Sequence, residues 1–586
     1  MIDIAAQIPP RAKKVVELGC LREKAGEAFL RIQPKAEYWG VTDDLAELKE
    51  AGSFLTHVVL ALPEEVDFEK LGIFEADVII IRGNFFRNLT AARLQKWAQV
   101  LAEEGQILLD VPNPAYIRNY LELIAGERSG DAVQGISAAA ARKLLEEAGL
   151  YMHFATAYYN NEQDEELRHS QENRNLMEGL KGVLTYLGWQ ALKENDPWLK
   201  SFFFKAGKRK LEPQDKLVVQ TVVGESIVTA KPRVHLPNAF LATEQGVLAR
   251  AVDRTLPFGK PVPDEIKNRV LIRQRLSYMQ EQQAYQILDG MRKGGHLIVA
   301  EIDDNPRAFI GKGNEAVYSL SYLCTHCVQV STEYLADVLR QYNPHVQVFP
   351  NQLQELPEKR NYLLESLQKL KAGEDYVTFF FGALNRTEEW QEVMPVICEA
   401  IEKYGSKLRF KVLSDRGFYE ALPTEYKEFI GSREMYEGQF VPYHMYAEAL
   451  HSSDISFLPL RDNDFNRAKS DLKFIESAGH GAAVLASPTV YENTVKEGRN
   501  GFIYRNPREF KEYLTLLIED RERRIETAEA AYRYVQEERL MSGHYLERLA
   551  WYREMLQRRP QLDRELMQRL ADWQNKYKKK GKGVIK

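Results

Sequence analysis

An α/β protein built from three doubly wound parallel-sheet domains is what this sequence predicts, and three observations predict it. Short apolar runs alternate with amphipathic helical stretches along most of the chain, the pattern of parallel strands joined by crossover helices. The alternation restarts twice, from Leu217 and from Tyr376. At 586 residues the chain far exceeds one core, since a domain takes roughly 150 residues. The expected division is 1–210, 211–372 and 373–540, with residues 541–586 forming a C-terminal helix and a basic tail.

In the first series the strands are Val15–Leu18, Tyr38–Val41, His57–Ala61, Asp77–Ile81 and Gln106–Val111, with helices over Ala91–Ala102 and Ala138–Gly149. Asn160–Lys200 is rich in Glu, Asn, Gln and Arg and reads as an insertion before a last strand at Ser201–Ala206. The polar, proline-containing GKRKLEPQDK that follows sets a boundary near residue 211. The second series has strand-like LVVQTVV, RVLIRQRL, HLIVAEID, CVQVST and VQVFPN, with helices over Met279–Arg292 and Glu333–Tyr342. The third has VTFFFGALNR, LRFKVLSD, DISFLPL and AVLAS. A long charged helical stretch runs from Glu519 to about Tyr577.

Composition narrows the function classes. Apolar residues at 44% and charged residues at 28% describe an ordinary globular chain. A net charge of −5 argues against a nucleic-acid binder. The first residues lack the pattern of a secretory signal, and no apolar run is long enough to cross a bilayer, so a cytoplasmic location is expected. Four cysteines are too few for a disulfide framework, and Cys324 and Cys327 in LCTHCVQVST read as structural because no second ligand pair stands at zinc spacing. The terminal YKKKGKGVIK reads as a solvated tail, with peripheral contact to an anionic membrane surface or an acidic partner as its rival.

The most informative motif is NRAKSDLKFIESAGHG at Asn466–Gly481. With Ser470 as cap and a stop at Ala478-Gly479, a helix here puts Lys473 and Glu476 on one face, with Lys469 just ahead. Cationic side chains at a helix N-terminus favour a diphosphate, and a carboxylate one turn deeper can accept both hydroxyls of a ribose. Ala482–Ser487 follows as a buried strand and Gly498–Tyr504 as a turn entering another. This segment resembles the C-terminal half of GT-B glycosyltransferases of the family 4 type, and the second and third series together resemble the two halves of that architecture. The resemblance implies a ligand cleft between the halves, at the carboxyl ends of the strands. It also implies transfer of a sugar from a nucleotide diphosphate sugar to a glycan, lipid-linked glycan or protein hydroxyl, with retention and without a required cofactor or metal.

Carried over by residue, Gly382, Asn385 and Arg386 form the loop over the phosphates. Arg386 and Lys473 clamp the diphosphate, Glu476 holds the ribose, and Ser414 and Tyr443 lie beside the base. Asp303 and Asp304 in EIDDNP, with His235 and Arg273, are acceptor-side candidates; adjacent aspartates on a strand point to opposite faces, so the two cannot converge without a turn. One departure stands out. The family commonly carries a second glutamate eight positions before Glu476, and this chain has Ala468 there.

The first series resembles a class I SAM-dependent methyltransferase in VVELGC, GVTDD and ILLDVPNP, which would place a ligand near Glu17, Gly19 and Asp43 or Asp44. The family's glycine loop fails here, because Leu21 and Glu23 stand where glycines would let the cofactor approach. No SAM is therefore expected, and the domain is read as a retained fold with a structural or docking role. Two rivals remain: a bifunctional glycosyltransferase and methyltransferase, and a non-catalytic scaffold in a glycosylation assembly, which the missing glutamate favours.

Overall fold

The computed structural model describes residues 3–19, 21–113, 116, 138–159, 171, 175, 178, 198–224, 230–275, 280–306, 315–383, 386–437 and 440–579. The chain forms two compact units: residues 1–217 with 242–248 and 265–267, and residues 218–241, 249–264 and 268–586.

The first unit is built on β1 (Lys14–Leu18), β2 (Glu37–Thr42), β3 (His57–Leu60), β4 (Ala76–Ile81), β5 (Leu101–Pro112), β6 (Tyr151–Tyr158) and β7 (Ser201–Gly207), in the order β3-β2-β1-β4-β5-β7-β6. β1 to β5 pair in parallel, and β7 runs antiparallel to both of its neighbours. Alternate residues feed opposite faces, so Val16, Leu18, Ile79 and Ile81 pack with Trp97 while Val15, Val78 and Ile80 pack with Phe29 and Phe203. The helix expected over Ala91–Ala102 stops at Gln99, and β5 starts at Leu101, well before Gln106. Most of the expected Asn160–Lys200 insertion lies outside the described residues.

The second unit holds most of one six-stranded sheet and all of another. One contains β8 (Leu217–Val223), β9 (Val247–Val252), β10 (Asn268–Gln274), β11 (Leu297–Ile302), β12 (Cys327–Val330) and β13 (Val346–Val348), ordered β13-β12-β11-β10-β8-β9. The other contains β14 (Val377–Gly382), β15 (Leu408–Leu413), β16 (Lys427–Gly431), β17 (Ile455–Leu458), β18 (Ala483–Ala486) and β19 (Phe502–Ile503), ordered β16-β15-β14-β17-β18-β19. The chain builds outward from β14 on one side and returns to its other side at β17, so the carboxyl end of β14 is a topological switch point, where open α/β sheets bind ligands. All six residues of β14 are buried, as a strand covered on both faces requires.

The expected single C-terminal stretch is broken into Arg521–Glu538, Tyr545–Gln557 and Arg559–Lys579. The break at Arg539–Gly543 pairs with the linker between the sheets: Leu353 N–H donates to Arg539 O and Met541 N–H to Leu353 O, each at 2.9 Å. The last two helices then cross to the β8–β13 sheet, where the Tyr552 hydroxyl donates to Gln329 Oε1 at 2.7 Å and the Arg548 guanidinium lies 4.5 Å from the centre of the Phe349 ring. The end of the basic tail lies outside the described residues. Cys324 and Cys327 are buried and free, and burial pushes the Cys324 thiol up to about 12. His326 between them accepts from Ile298 N–H at 2.8 Å through Nδ1, so the motif is packed into the core.

Candidate functional site

At the carboxyl end of β14, Lys473 meets Gly382, and Glu476 lies within electrostatic reach of Lys473. Their helix spans Leu472–Gly479, one residue later than expected, with Asp471 at the N-cap. Ser470 instead accepts from Asn351 Nδ2 at 2.8 Å, and Asp471 is gripped by Arg539 at 2.6 and 2.8 Å and by the Thr494 hydroxyl at 2.7 Å. Asp471 is thereby committed to anchoring the helix rather than to a ligand. Lys473 Nζ donates to Gly382 O at 2.6 Å and stands 5.5 Å from the centre of the Tyr446 ring. The Tyr446 hydroxyl donates to Glu476 Oε2 at 2.9 Å. Burial pushes the Lys473 pKa down and the Glu476 pKa up, while each charge opposes the other's shift.

Arg386 opens the short helix Thr387–Gln391 and lies within electrostatic reach of Lys473. Its Nη1 donates to Glu389 Oε1 at 3.0 Å and to Asn466 Oδ1 at 3.1 Å, which fixes the guanidinium. Asn385 lies outside the described residues. A Cβ built on Gly382 would fall 2.5 Å from the Phe380 ring, so the absence of a side chain there is a packing requirement.

Ser414 follows β15 at φ 71°, a left-handed conformation that costs a non-glycine residue about 1–3 kcal/mol and clusters at ligand sites. Asp415 caps the next helix by accepting from Phe418 N–H at 2.9 Å. Tyr443 is the first residue of the helix Tyr443–His451, is 48% exposed, and has Lys231 Nζ 4.3 Å from its ring centre. Tyr446 and Lys231 had no motif to mark them, although Tyr446 sits one helical turn after Tyr443.

The other expected residues divide differently. β11 stops at Ile302, so Asp303 and Asp304 lie in the turn beyond it and both face Arg275, at 2.5 and 3.9 Å; the turn is what lets the two neighbours converge. Asp304 also pairs with Lys469 at 3.1 Å, so Lys469 bridges to the β8–β13 sheet instead of standing with Lys473. Arg273 is buried close to Cys324, and His235 is exposed at the end of Lys231–His235. Beside it, Arg233 and Glu301 form an ion pair at 2.7 Å with no exposed side-chain surface. Among the described residues no group of His, Cys, Asp or Glu is arranged to hold a metal ion, and no helix is long and apolar enough to cross a membrane.

In the first unit the chain turns back at β1, giving a second switch point between β1 and β4. Gly19 sits there at φ 82°, where a Cβ would meet Arg82 O at 2.8 Å. Glu17 is buried, accepts from the Tyr38 hydroxyl at 2.8 Å and from Arg82 Nη1 at 3.3 Å, and burial raises its pKa to about 7. Glu23 also binds the Arg82 guanidinium. Asp43 accepts from Asn84 Nδ2, and Asp44 caps the helix Leu45–Ala51. Buried Leu21 lies against Gly40, where a Cβ would come within 2.9 Å of it.

No curated protein matches the chain. Several solved structures are similar to it at low identity. Anabaena Alr3699/HepE in complex with UDP-glucose is 12% identical, with a TM-score of 0.38, over 57% of this chain and 99% of that one. A glycosyltransferase from Rickettsia africae ESF-5 is 11% identical, with a TM-score of 0.40, over 58% and 99%. Sucrose-phosphate synthase from Thermosynechococcus elongatus is 12% identical, with a TM-score of 0.41, over the same shares. Residues 391–549, which include Ser414, Tyr443, Lys473 and Glu476, match the sequence family described as glycosyl transferase-like.

Proposed function

We propose that this chain is a glycosyltransferase that moves a sugar from a nucleotide diphosphate sugar to a hydroxyl of a glycan, lipid-linked glycan or protein. The observation that carries the reading is the gathering of Arg386 and Glu476 about Lys473, which itself bonds the glycine that ends β14, next to and within a segment matching a glycosyl transferase-like family. In this reading Lys473 and Arg386 neutralise the diphosphate, Glu476 accepts from the ribose hydroxyls, and Ser414 and Tyr443 flank the base. The bond from the sugar's anomeric carbon to the diphosphate breaks and the acceptor oxygen bonds to that carbon. The acceptor proton passes to the departing phosphate oxygen, with retention at the anomeric centre. Stabilising the charge that builds on the leaving group is the chain's main contribution.

The first unit is, on this reading, a methyltransferase-like scaffold without SAM. Arg82, the cation at its switch point, is already engaged by Glu17 and Glu23, and Leu21 fills space against Gly40. A non-catalytic role for the whole chain has its own support in Ala468 and in the commitment of Lys469 to Asp304. A thermal-shift screen of UDP-, ADP-, GDP- and dTDP-sugars tests the proposal. One nucleotide class at a hundredfold its Kd stabilises by about 2.7 kcal/mol, and no shift with any class would overturn it.

A further inference from the structure

A groove of about 340 Å³ runs from Lys231 and Tyr443 along the helix Tyr443–His451 to His480, walled on its other side by the linker after Leu353. Its volume is that of a ligand pocket. At its upper end it adjoins the donor site, because the rings of Tyr443 and Tyr446 are 6.0 Å apart and Tyr446 holds Glu476. Its floor is apolar: Leu353, Pro357 and Ala447 line it, and Gly479 allows the close approach, since a Cβ there would fall 2.8 Å from Leu353. Among the described residues that line it, the exposed carboxylates of Glu355, Glu358 and Glu448 stand against the ammonium of Lys231.

At the far end His480 is 8% exposed, and its Nδ1 has no hydrogen-bond partner among the described residues. Burial and the neighbouring His451 hold its pKa down at about 4, so the ring is neutral and offers one N–H donor and one acceptor nitrogen. Nδ1 is closed off from solvent, so the ring meets the groove as part of its wall.

We propose that this groove binds a neutral glycan strand and is the acceptor side of the enzyme. A sugar ring brings an apolar C–H face for the floor and hydroxyls that donate to the rim carboxylates. An anionic strand meets an excess of carboxylates and is repelled. The proposal rests on the glycosyltransferase reading for its role, while binding in the groove is measured apart from turnover.

The test is calorimetry on the full chain with maltohexaose, cellohexaose and chitohexaose as neutral probes, hexagalacturonate as the anionic probe and hexalysine as the cationic one. We expect one neutral probe to bind, with binding abolished in His480→Trp and weakened about tenfold in Glu448→Ala, the loss of one charge-assisted hydrogen bond. UDP, ADP and GDP affinities should not move in either variant. Glu448 is exposed, so that variant decides the matter if His480→Trp does not fold. Neutral-probe binding untouched by these variants, or binding of only hexagalacturonate or hexalysine, overturns the groove assignment. No neutral binding while a nucleotide sugar binds overturns it too and leaves the glycosyltransferase reading intact. Glycan binding without any nucleotide-sugar binding supports the groove and sinks that reading instead.

Discussion

Replacing Lys473 by alanine removes an ammonium whose place is fixed by the 2.6 Å bond to Gly382 O and by the Tyr446 ring. In the proposed complex that ammonium turns to the diphosphate. A hydrogen bond to a charged group contributes about 1.5–3 kcal/mol, so donor affinity should fall about 10- to 150-fold. The free protein opposes part of its own charge, because burial lowers the Lys473 pKa. Donor binding should therefore take up protons at alkaline pH, and affinity should weaken as pH rises. Isothermal titration of wild type and Lys473→Ala with the best nucleoside diphosphate, in buffers of differing ionisation enthalpy, reads both effects. Glu476 loses its neighbouring cation in the variant, so circular dichroism and melting must first show a folded protein. A folded Lys473→Ala variant with wild-type affinity would refute the diphosphate assignment.

Other consequences follow from the same geometry. Glu476→Gln should raise donor KM more than it lowers kcat, since a ribose contact is made in both ground and transition states; an equal fall in kcat and kcat/KM would assign Glu476 to the reacting centre. Glu17 is raised to about 7 in the fold against 4.5 ordinarily, so the stability it contributes is present below pH 4.5 and is lost as pH rises to about 7, on the order of 3 kcal/mol. Glu17→Gln should gain on wild type across that window in pH-dependent melting, and a constant difference would show that Glu17 is not held protonated. Asp304→Asn should cost about 1–3 kcal/mol by releasing Lys469 and Arg275, and EDTA should leave turnover unchanged; activity restored only by Mn²⁺ or Mg²⁺ would contradict this. Calorimetry with SAM should show no binding, and micromolar affinity would reinstate the bifunctional reading.

The central strands were legible because burial on both faces writes a continuous apolar run, as in VTFFFG of β14 and ADVIII of β4. The strands that were not legible carry weaker patterns. β6 has half its residues exposed, β9 is buried only at its ends, and the charged KEFIG of β16 is buried only at Gly431; each sits at a sheet edge. The Lys473–Glu476 pair was readable from helical spacing alone, because both lie on one short element. Lys231 over Tyr443 and Lys469 on Asp304 join residues far apart in sequence, and no local period encodes such pairings. Whether the two aspartates after β11 converge was open in the sequence, since one residue of strand length decides whether neighbours diverge or share a guanidinium.

Release of nucleoside diphosphate from a nucleotide sugar is the most direct measurement of what this chain does. Incubated with the donor that stabilises it, the wild-type protein should liberate the diphosphate slowly alone and faster with a hydroxylated acceptor, and Lys473→Ala should do neither. Binding of that donor with no release above the uncatalysed rate, with or without acceptor, would contradict a transferase and leave a nucleotide-sugar-binding scaffold in its place.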